Sequence, residues 1–313
     1  MIHPLVQKLC DEFYSGGAAK YSEAMSSHWG SCSKEFRLSK DDVGRSRLLG
    51  YGFGESDRRP GWLGSLIAWL EMSVKTCCYF PMTEMTRSIF WGRKIVKSMG
   101  LYFGSDAFRQ LCVLSILKER LPKELKRILV IGDGPGILSA FLHETFPQAE
   151  IILVDLGATL AIQAQNLTKA FPRAGHREDF EEVGGDKFRY APAERISLPK
   201  NLKIDLAVNV ASMQEMKPET IRHYFELLRT HGTRWFYCCN RVEKVMSGGE
   251  VARFADYPWK KEDEVIAEGL PGWYGWFLGV GGLPAANWGI FQLPLLRRYD
   301  GVHAHRFIRM ASS

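Results

Sequence analysis

The spacing of apolar residues changes near residue 122. Before it, apolar positions recur at helical intervals. Leu5, Leu9 and Phe13 lie four apart and predict a helix over 3–13, which Gly16 and Gly17 break. A second helix is expected over 18–29. Residues 44–64, rich in Gly, Arg and aromatics, read as a long loop. Helices are expected over 62–79 and 83–99. A further one starts at a cap on Ser105 or Asp106 and runs to Arg120. Its apolar stripe is Phe108, Leu111, Cys112, Leu114, Ser115 and Leu117.

From Arg127 onward, short apolar runs alternate with helical ones. Strands are predicted over 128–131, 150–154, 189–191, 204–210 and 234–239. Helices are predicted over 137–145, 158–170 and 218–229, the last with Pro218 in its first turn. Such alternation predicts a parallel sheet with right-handed crossovers, an α/β fold. The tail reads as two strands, 290–296 and 302–310, joined as a hairpin by Tyr299, Asp300 and Gly301. Two regions follow from this: a mainly helical one over 1–122 and a Rossmann-like sheet domain over 123–313.

Composition narrows the partners. The 313 residues are 46% hydrophobic and 24% charged, an ordinary globular balance. A net charge of +6 is mild, and the basic residues form no arm or stripe, so no nucleic-acid partner is expected. Cys10, Cys32, Cys77, Cys78, Cys112, Cys238 and Cys239 show no CxxC spacing. Neither a zinc site nor any other required metal is expected, and reduced thiols fit a cytoplasmic protein. The first ten residues do not resemble a signal peptide. No membrane span is expected either, since no run reaches about 18 apolar residues. The nearest, 61–80, is broken by Gly64 and carries Glu71 and Lys75, so it reads as a buried or interface helix.

The strongest chemical signal is the run Gly132-Asp133-Gly134-Pro135-Gly136 after the first strand of the sheet. Glycines there permit positive φ and close approach of a ligand to the backbone. The turn lies at the carboxyl end of a strand, where open α/β sheets bind ligands. Asp155 ends the next strand, where a carboxylate can accept both hydroxyls of a ribose. A dinucleotide fingerprint needs glycine at position 137, which is Ile137. The pattern therefore favours S-adenosylmethionine (SAM) over a nicotinamide cofactor.

Residues 127–240 resemble the class I SAM-dependent methyltransferases, and more narrowly the putative sugar O-methyltransferase family. The resemblance is carried by the glycine turn, by Val154-Asp155-Leu156, by the stretch from Val208 to Met216, and by Tyr237 with Asn240 and Arg241. It implies a seven-stranded sheet whose last strand is antiparallel, with SAM across the carboxyl edge. By position, Gly132, Gly134 and Gly136 shape the methionine and ribose pocket, and Asp155 holds the ribose. Leu156 flanks the adenine, with Ala193 or Glu194 on its far side. Asp133 is open to contact with the SAM amino group, and Asn209 lies at the same edge.

Methyl transfer from a sulfonium is an in-line displacement. It needs an aligned nucleophile and, for an alcohol, a base. Glu215, just past an apolar strand, is either that base or a carboxylate at a helix N-terminus. His303, near the ligand edge, and His28, from a lid, are further candidates. His231 is expected to be solvated and His223 to lie at the surface. Asn209 and Gln214 could orient the acceptor, and Asn240 and Arg241 end the fifth strand beside it. Trp273, Trp276 and Trp288 form either an acceptor wall or core packing. Arg45, Arg47, Arg58 and Arg59 form either an anion-binding or a solvated loop. The implied activity is O-methylation of a sugar or glycosylated small molecule, as in natural-product biosynthesis. N-methylation, methylation of another small natural product, or an inactive SAM-binding partner are the alternatives. Residues 1–122 would then serve as an acceptor lid, a homodimer surface, or both.

Overall fold

The computed structural model describes residues 3–16, 26–27, 37–40, 46–49, 62–178, 180, 186–278, 296–298 and 301–311. The chain opens with α1 (Pro4–Gly16) and a two-stranded ribbon of β1 (Arg37–Lys40) and β2 (Ser46–Leu49). Three helices follow: α2 (Trp62–Tyr79), α3 (Met82–Ser98) and α4 (Ser105–Arg120). The helical spacing predicted these three within a residue, although Gly104 takes the N-cap position of α4 in place of Ser105 or Asp106. The ribbon strand Ser46–Leu49 lies where the sequence suggested only loop.

The α/β part runs β3 (Arg127–Ile131), α5 (Ile137–Thr145), β4 (Glu150–Asp155), α6 (Gly157–Ala170), β5 (Gly175–Arg177) and β6 (Asp186–Pro192). It continues with β7 (Leu206–Val210), α7 (Pro218–Thr230), β8 (Trp235–Arg241), the short pair β9 (Glu243–Val245) and β10 (Val251–Arg253), and β11 (Glu264–Gly269). Last come β12 (Trp276–Leu278), β13 (Leu296–Arg298) and β14 (His303–Arg309). One sheet of eight strands has the order β11-β14-β8-β7-β3-β4-β6-β5. Its ladders are parallel from β8 through to β5, and β14 runs antiparallel to both β8 and β11. This is the expected sheet with its antiparallel strand, plus β5 as a short extra edge.

The central strands β3, β4 and β7 are buried throughout or nearly so, as strands covered on both faces must be. One apolar cluster packs α1, α3, α4, α5 and α6 on one face of the sheet. A second packs α7 and residues 246–257 on the other. Arg189 on β6 meets Glu150 on β4 at 2.7 Å, which explains how a strand with Asp186, Lys187 and Arg189 sits inside the sheet.

The tail departs from the expected hairpin. Leu296–Arg298 pairs with Trp276–Leu278 in a separate ribbon, while β14 inserts between β8 and β11. The strand β11 escapes the apolar pattern because it is an edge strand with both ends exposed. Among the described residues, no helix is long and apolar enough to cross a membrane.

Candidate functional site

The carboxyl edge of β3, β4, β6 and β7 opens onto a cavity of about 610 Å³. At one end of it the chain turns through Gly132, Gly134 and Gly136, all left-handed, with φ of 71°, 55° and 87°. Gly132 is required twice over. Its φ disfavours any side chain, and an added Cβ would overlap the Ser212 hydroxyl. Gly136 is the N-cap of α5 and does not line the cavity. Asn166 on α6 latches the turn by donating to the Pro135 carbonyl at 2.9 Å.

Asp133 faces two ways. It lines the cavity, yet its carboxylate accepts the N–H groups of Leu138 at 3.0 Å and Ser139 at 2.7 Å in the first turn of α5. Burial pushes it up to about 6. Asp155 ends β4 with one oxygen on the Leu156 N–H at 2.8 Å and the other on Gln163 at 2.7 Å. Burial raises it to about 7, against the lowering effect of those two donors. Glu194 accepts the Gly157 N–H at 3.0 Å and so ties the turn at 193–195 to the start of α6. Leu156, Ala193 and Glu194 all line the cavity.

The floor is formed where β7 and β8 end. Ala211 has φ of 56°, the one non-glycine residue in that region among those described. Such a conformation costs about 1 kcal/mol or more, and it persists only where the surroundings enforce it. The enforcing contacts are visible. The Ala211 N–H donates to the Cys239 carbonyl at 2.7 Å. Asn209 donates to the Ile131 carbonyl at 2.8 Å and accepts from Asn240 at 2.7 Å. Asn240 accepts the Gln214 N–H at 3.1 Å, and the Gln214 side chain accepts the Arg241 N–H at 2.7 Å. This chain of amides fixes the turn at 213–215 to three strands.

The remaining wall brings together residues far apart in sequence: Arg109 on α4, Arg241 at the end of β8, Tyr274, and His303 at the start of β14. The Tyr274 ring stacks on His303 with centres 4.3 Å apart and planes at 23°. The Arg109 guanidinium lies 5.1 Å from the Tyr274 ring centre and pairs with Asp106 at 2.6 Å. Burial, then the charges of Arg241 and Arg109, hold His303 down at about 3, so its imidazole is neutral at physiological pH.

Several expectations need correction. Asn209 and Asn240 are fully buried in the amide network and do not line the cavity, so they position the floor and do not touch a ligand. Glu215 lines the cavity but its carboxylate pairs with Lys244 at 2.6 Å, and its carbonyl accepts from Ser26 at 2.5 Å. Trp273 packs on Phe80 and His305, and the Lys75 ammonium covers the Trp276 ring at 4.9 Å. Neither tryptophan lines the cavity; Tyr274 between them does. His231 is buried, with Nδ1 3.0 Å from the Leu202 carbonyl, rather than solvated. His223 is exposed on α7 and still reaches the cavity rim. His28, Trp288, Arg45, Arg58 and Arg59 lie outside the described residues, as does the side chain of Arg47. Ser212 and Tyr274 lie within stretches that the sequence marked, 208–216 and 272–276, though neither was given a role, and sequence reasoning missed Arg109, Gln163 and Asn166. These three belong to no local motif; they matter because tertiary structure brings them to the site. Among the described residues, no group of three or more His, Cys, Asp or Glu is placed to hold a metal ion.

No protein-family model matches the sequence, and no curated protein is similar to it. Solved structures are similar at the level of the backbone. A SAM-dependent methyltransferase from Aquifex aeolicus is 11% identical, over 63% of this chain and 89% of its own, with a TM-score of 0.38. Magnesium protoporphyrin IX methyltransferase from Synechocystis, solved with bound SAM, is 10% identical, over 66% of this chain and 80% of its own, with a TM-score of 0.43.

Proposed function

We propose that this chain is a SAM-dependent methyltransferase that methylates an oxygen of a small acceptor, a sugar or glycosylated small molecule. One observation carries the reading. A single cavity joins the Gly132–Gly134 turn and Asp155 to a second wall of Arg109, Arg241, Tyr274 and His303. A nucleoside and a second molecule can therefore meet over Ala211 and Ser212.

The residues present fit the cofactor. Each Asp155 oxygen keeps a second lone pair beyond its one donor, enough for two ribose hydroxyls. Gly134 lines the cavity without a Cβ, so the backbone there is open to close approach, while the place of a Cβ at Gly132 is taken by Ser212. Leu156, Ala193 and Glu194 flank the place for the adenine. When bound, SAM supplies an electrophilic methyl group. The chain itself aligns the acceptor and takes its proton. Glu215, paired with Lys244 at 2.6 Å, is the assigned base, and His303 stays neutral on this wall, stacked on Tyr274. The Tyr274 face beside a guanidinium suits a ring bearing hydroxyls.

The Lys244 contact also favours a second reading. A carboxylate already paired at 2.6 Å is a weakened base, and a neutral amine needs none, so N-methylation fits the same wall. Substitution Glu215→Gln separates the two: it cripples transfer to oxygen and spares transfer to nitrogen. The first experiment is calorimetry of SAM and its demethylated product, with Asp155→Ala as control. Micromolar binding lost in the variant supports the reading and opens an acceptor screen beginning with sugars. A folded protein that binds neither overturns it. Binding without turnover on any acceptor points to an inactive SAM-binding partner.

A further inference from the structure

Helix α2 is turned inside out for its charges. Glu71 and Lys75 are its only carboxylate and ammonium side chains, and both are buried, paired at 2.6 Å. Glu71 also accepts from Ser105 at the start of α4 at 3.2 Å. Ile67, Met72 and Thr76 are buried with them. At 100° per residue, these five face one side of the helix.

The other side carries Trp62, Leu66, Trp69, Leu70 and Val74, which fall on one arc about 140° wide. All five are exposed, Trp62 by 80% and Trp69 by 52%. The α2 arc holds no charge at all. Monomeric proteins seldom leave so continuous an apolar face to water.

We propose that this face of α2 is the contact between two copies of this chain. Its size fits. At roughly 200 Å² for a large side chain, the α2 arc alone offers about 500 Å² of exposed side chain, more than half of one partner's share. A stable dimer buries about 800 Å² per partner. Its chemistry fits as well. A two-fold axis places each surface against itself, so a charged face would meet its own charge. An uncharged stripe about 18 Å long, from Trp62 to Val74, meets no such penalty. A helix that lies on a membrane carries Lys or Arg on its polar side, facing water. The only base in α2 is sealed inside the protein. The inner face of α2 supports α4, which carries Arg109 to the cavity, so pairing of α2 would stiffen the acceptor wall. The proposal does not rest on the methyltransferase reading.

The test is the mass in solution of the full chain, by light scattering or sedimentation, across the micromolar range. A particle of two 35.5 kDa chains is expected. Trp69→Glu should halve that mass, with unchanged circular dichroism. Trp62→Glu, at a side chain already 80% exposed, should do the same and cannot fail through the core. A monomer at every concentration overturns the proposal, as does a dimer that survives both substitutions. Sedimentation of the wild-type chain with phosphatidylserine–phosphatidylcholine vesicles, and its loss in Trp62→Glu, would assign the face to a membrane and overturn it equally. SAM binding is measured on the same samples, so failure of the dimer and failure of the methyltransferase reading are distinguished.

Discussion

The glycine-turn end of the cavity and its Tyr274 end differ in how they are assembled. At the first, the ends of three adjacent strands, β3, β4 and β6, supply Gly132, Asp155 and Ala193, with hydrogen bonds fixing the turns between them. At the second, α4, β8, the segment 272–276 and β14 each contribute one side chain, held by stacking and charge. A backbone-built end tolerates little change. A side-chain-built end can be altered one residue at a time. The two should therefore respond differently to substitution.

The largest expected effect is Gly132→Ala. It imposes a left-handed alanine and an overlap with Ser212, together roughly 2 kcal/mol or more of stability. Binding of the demethylated cofactor should fall below detection by calorimetry. Chemical denaturation of the double variant Gly132→Ala, Ser212→Gly should recover the part due to overlap and leave the part due to φ. No loss in the single variant would mean that the turn is not rigid.

Asn240→Ala comes next. It leaves the Gln214 N–H without its acceptor, and Asn209 Oδ1 keeps the longer bond from the Met213 N–H at 3.3 Å, inside fully buried surroundings. The orphaned N–H costs about 1–3 kcal/mol, so a loss of about 2 kcal/mol in thermal or chemical unfolding is expected. The same substitution on a surface amide should cost almost nothing. A near-neutral Asn240→Ala would show that the floor is held by packing alone.

This contrast also separates what was legible in the sequence from what was not. The turn, Asp155 and the parallel strands were readable because each is a local pattern: glycines needing positive φ, an apolar run, a carboxylate at its end. The strand β11 was not, because Glu264, Glu268 and Gly269 at a sheet edge leave no apolar signature. Asn209 and Asn240 sit where a ligand contact was expected, and only the fold shows that they bond each other. Arg109 stands over a hundred residues from Arg241 and nearly two hundred from His303, and no spacing rule connects them. Trp273 and Trp276 misled because the most conspicuous aromatics faced away from the cavity while Tyr274 faced in.

A smaller effect follows from the proton on Asp155. Its folded value of about 7 lies above the 3.8 of a free carboxyl, because burial favours the neutral form. Between about pH 4 and pH 7 the folded chain holds a proton that the unfolded chain has released. The stability of the ligand-free protein should therefore fall as pH rises through that window, and Asp133, at about 6, adds to the same slope. Binding has the opposite sign under the proposed reading, since ribose hydroxyls need the carboxylate. Affinity for the demethylated cofactor should weaken as pH drops below about 7, by up to about tenfold per unit. Asp155→Asn should flatten both profiles. A binding curve that stays flat in the wild type from pH 5 to pH 8 would remove Asp155 from the ribose.

The smallest effect, and the sharpest division between the two ends, is Tyr274→Leu. It keeps much of the buried volume but removes the stack on His303 and the ring under Arg109. Such aromatic contacts contribute about 0.5–1.5 kcal/mol each beyond simple burial. Loss of that order should raise the KM for the acceptor about three- to tenfold, since 1.4 kcal/mol is one factor of ten. Tyr274 lies across the cavity from Asp155, Ala193 and the glycine turn, so affinity for the demethylated cofactor should change less than twofold. If acceptor and cofactor weaken together, the two ends are one mechanical unit and the stack reaches the turn through Ala211. If the acceptor alone weakens, the wall is a separable specificity element, and Arg109→Lys should then shift acceptor preference with the cofactor site intact. Lysine keeps the charge but not the planar guanidinium that spans Asp106 and the Tyr274 face.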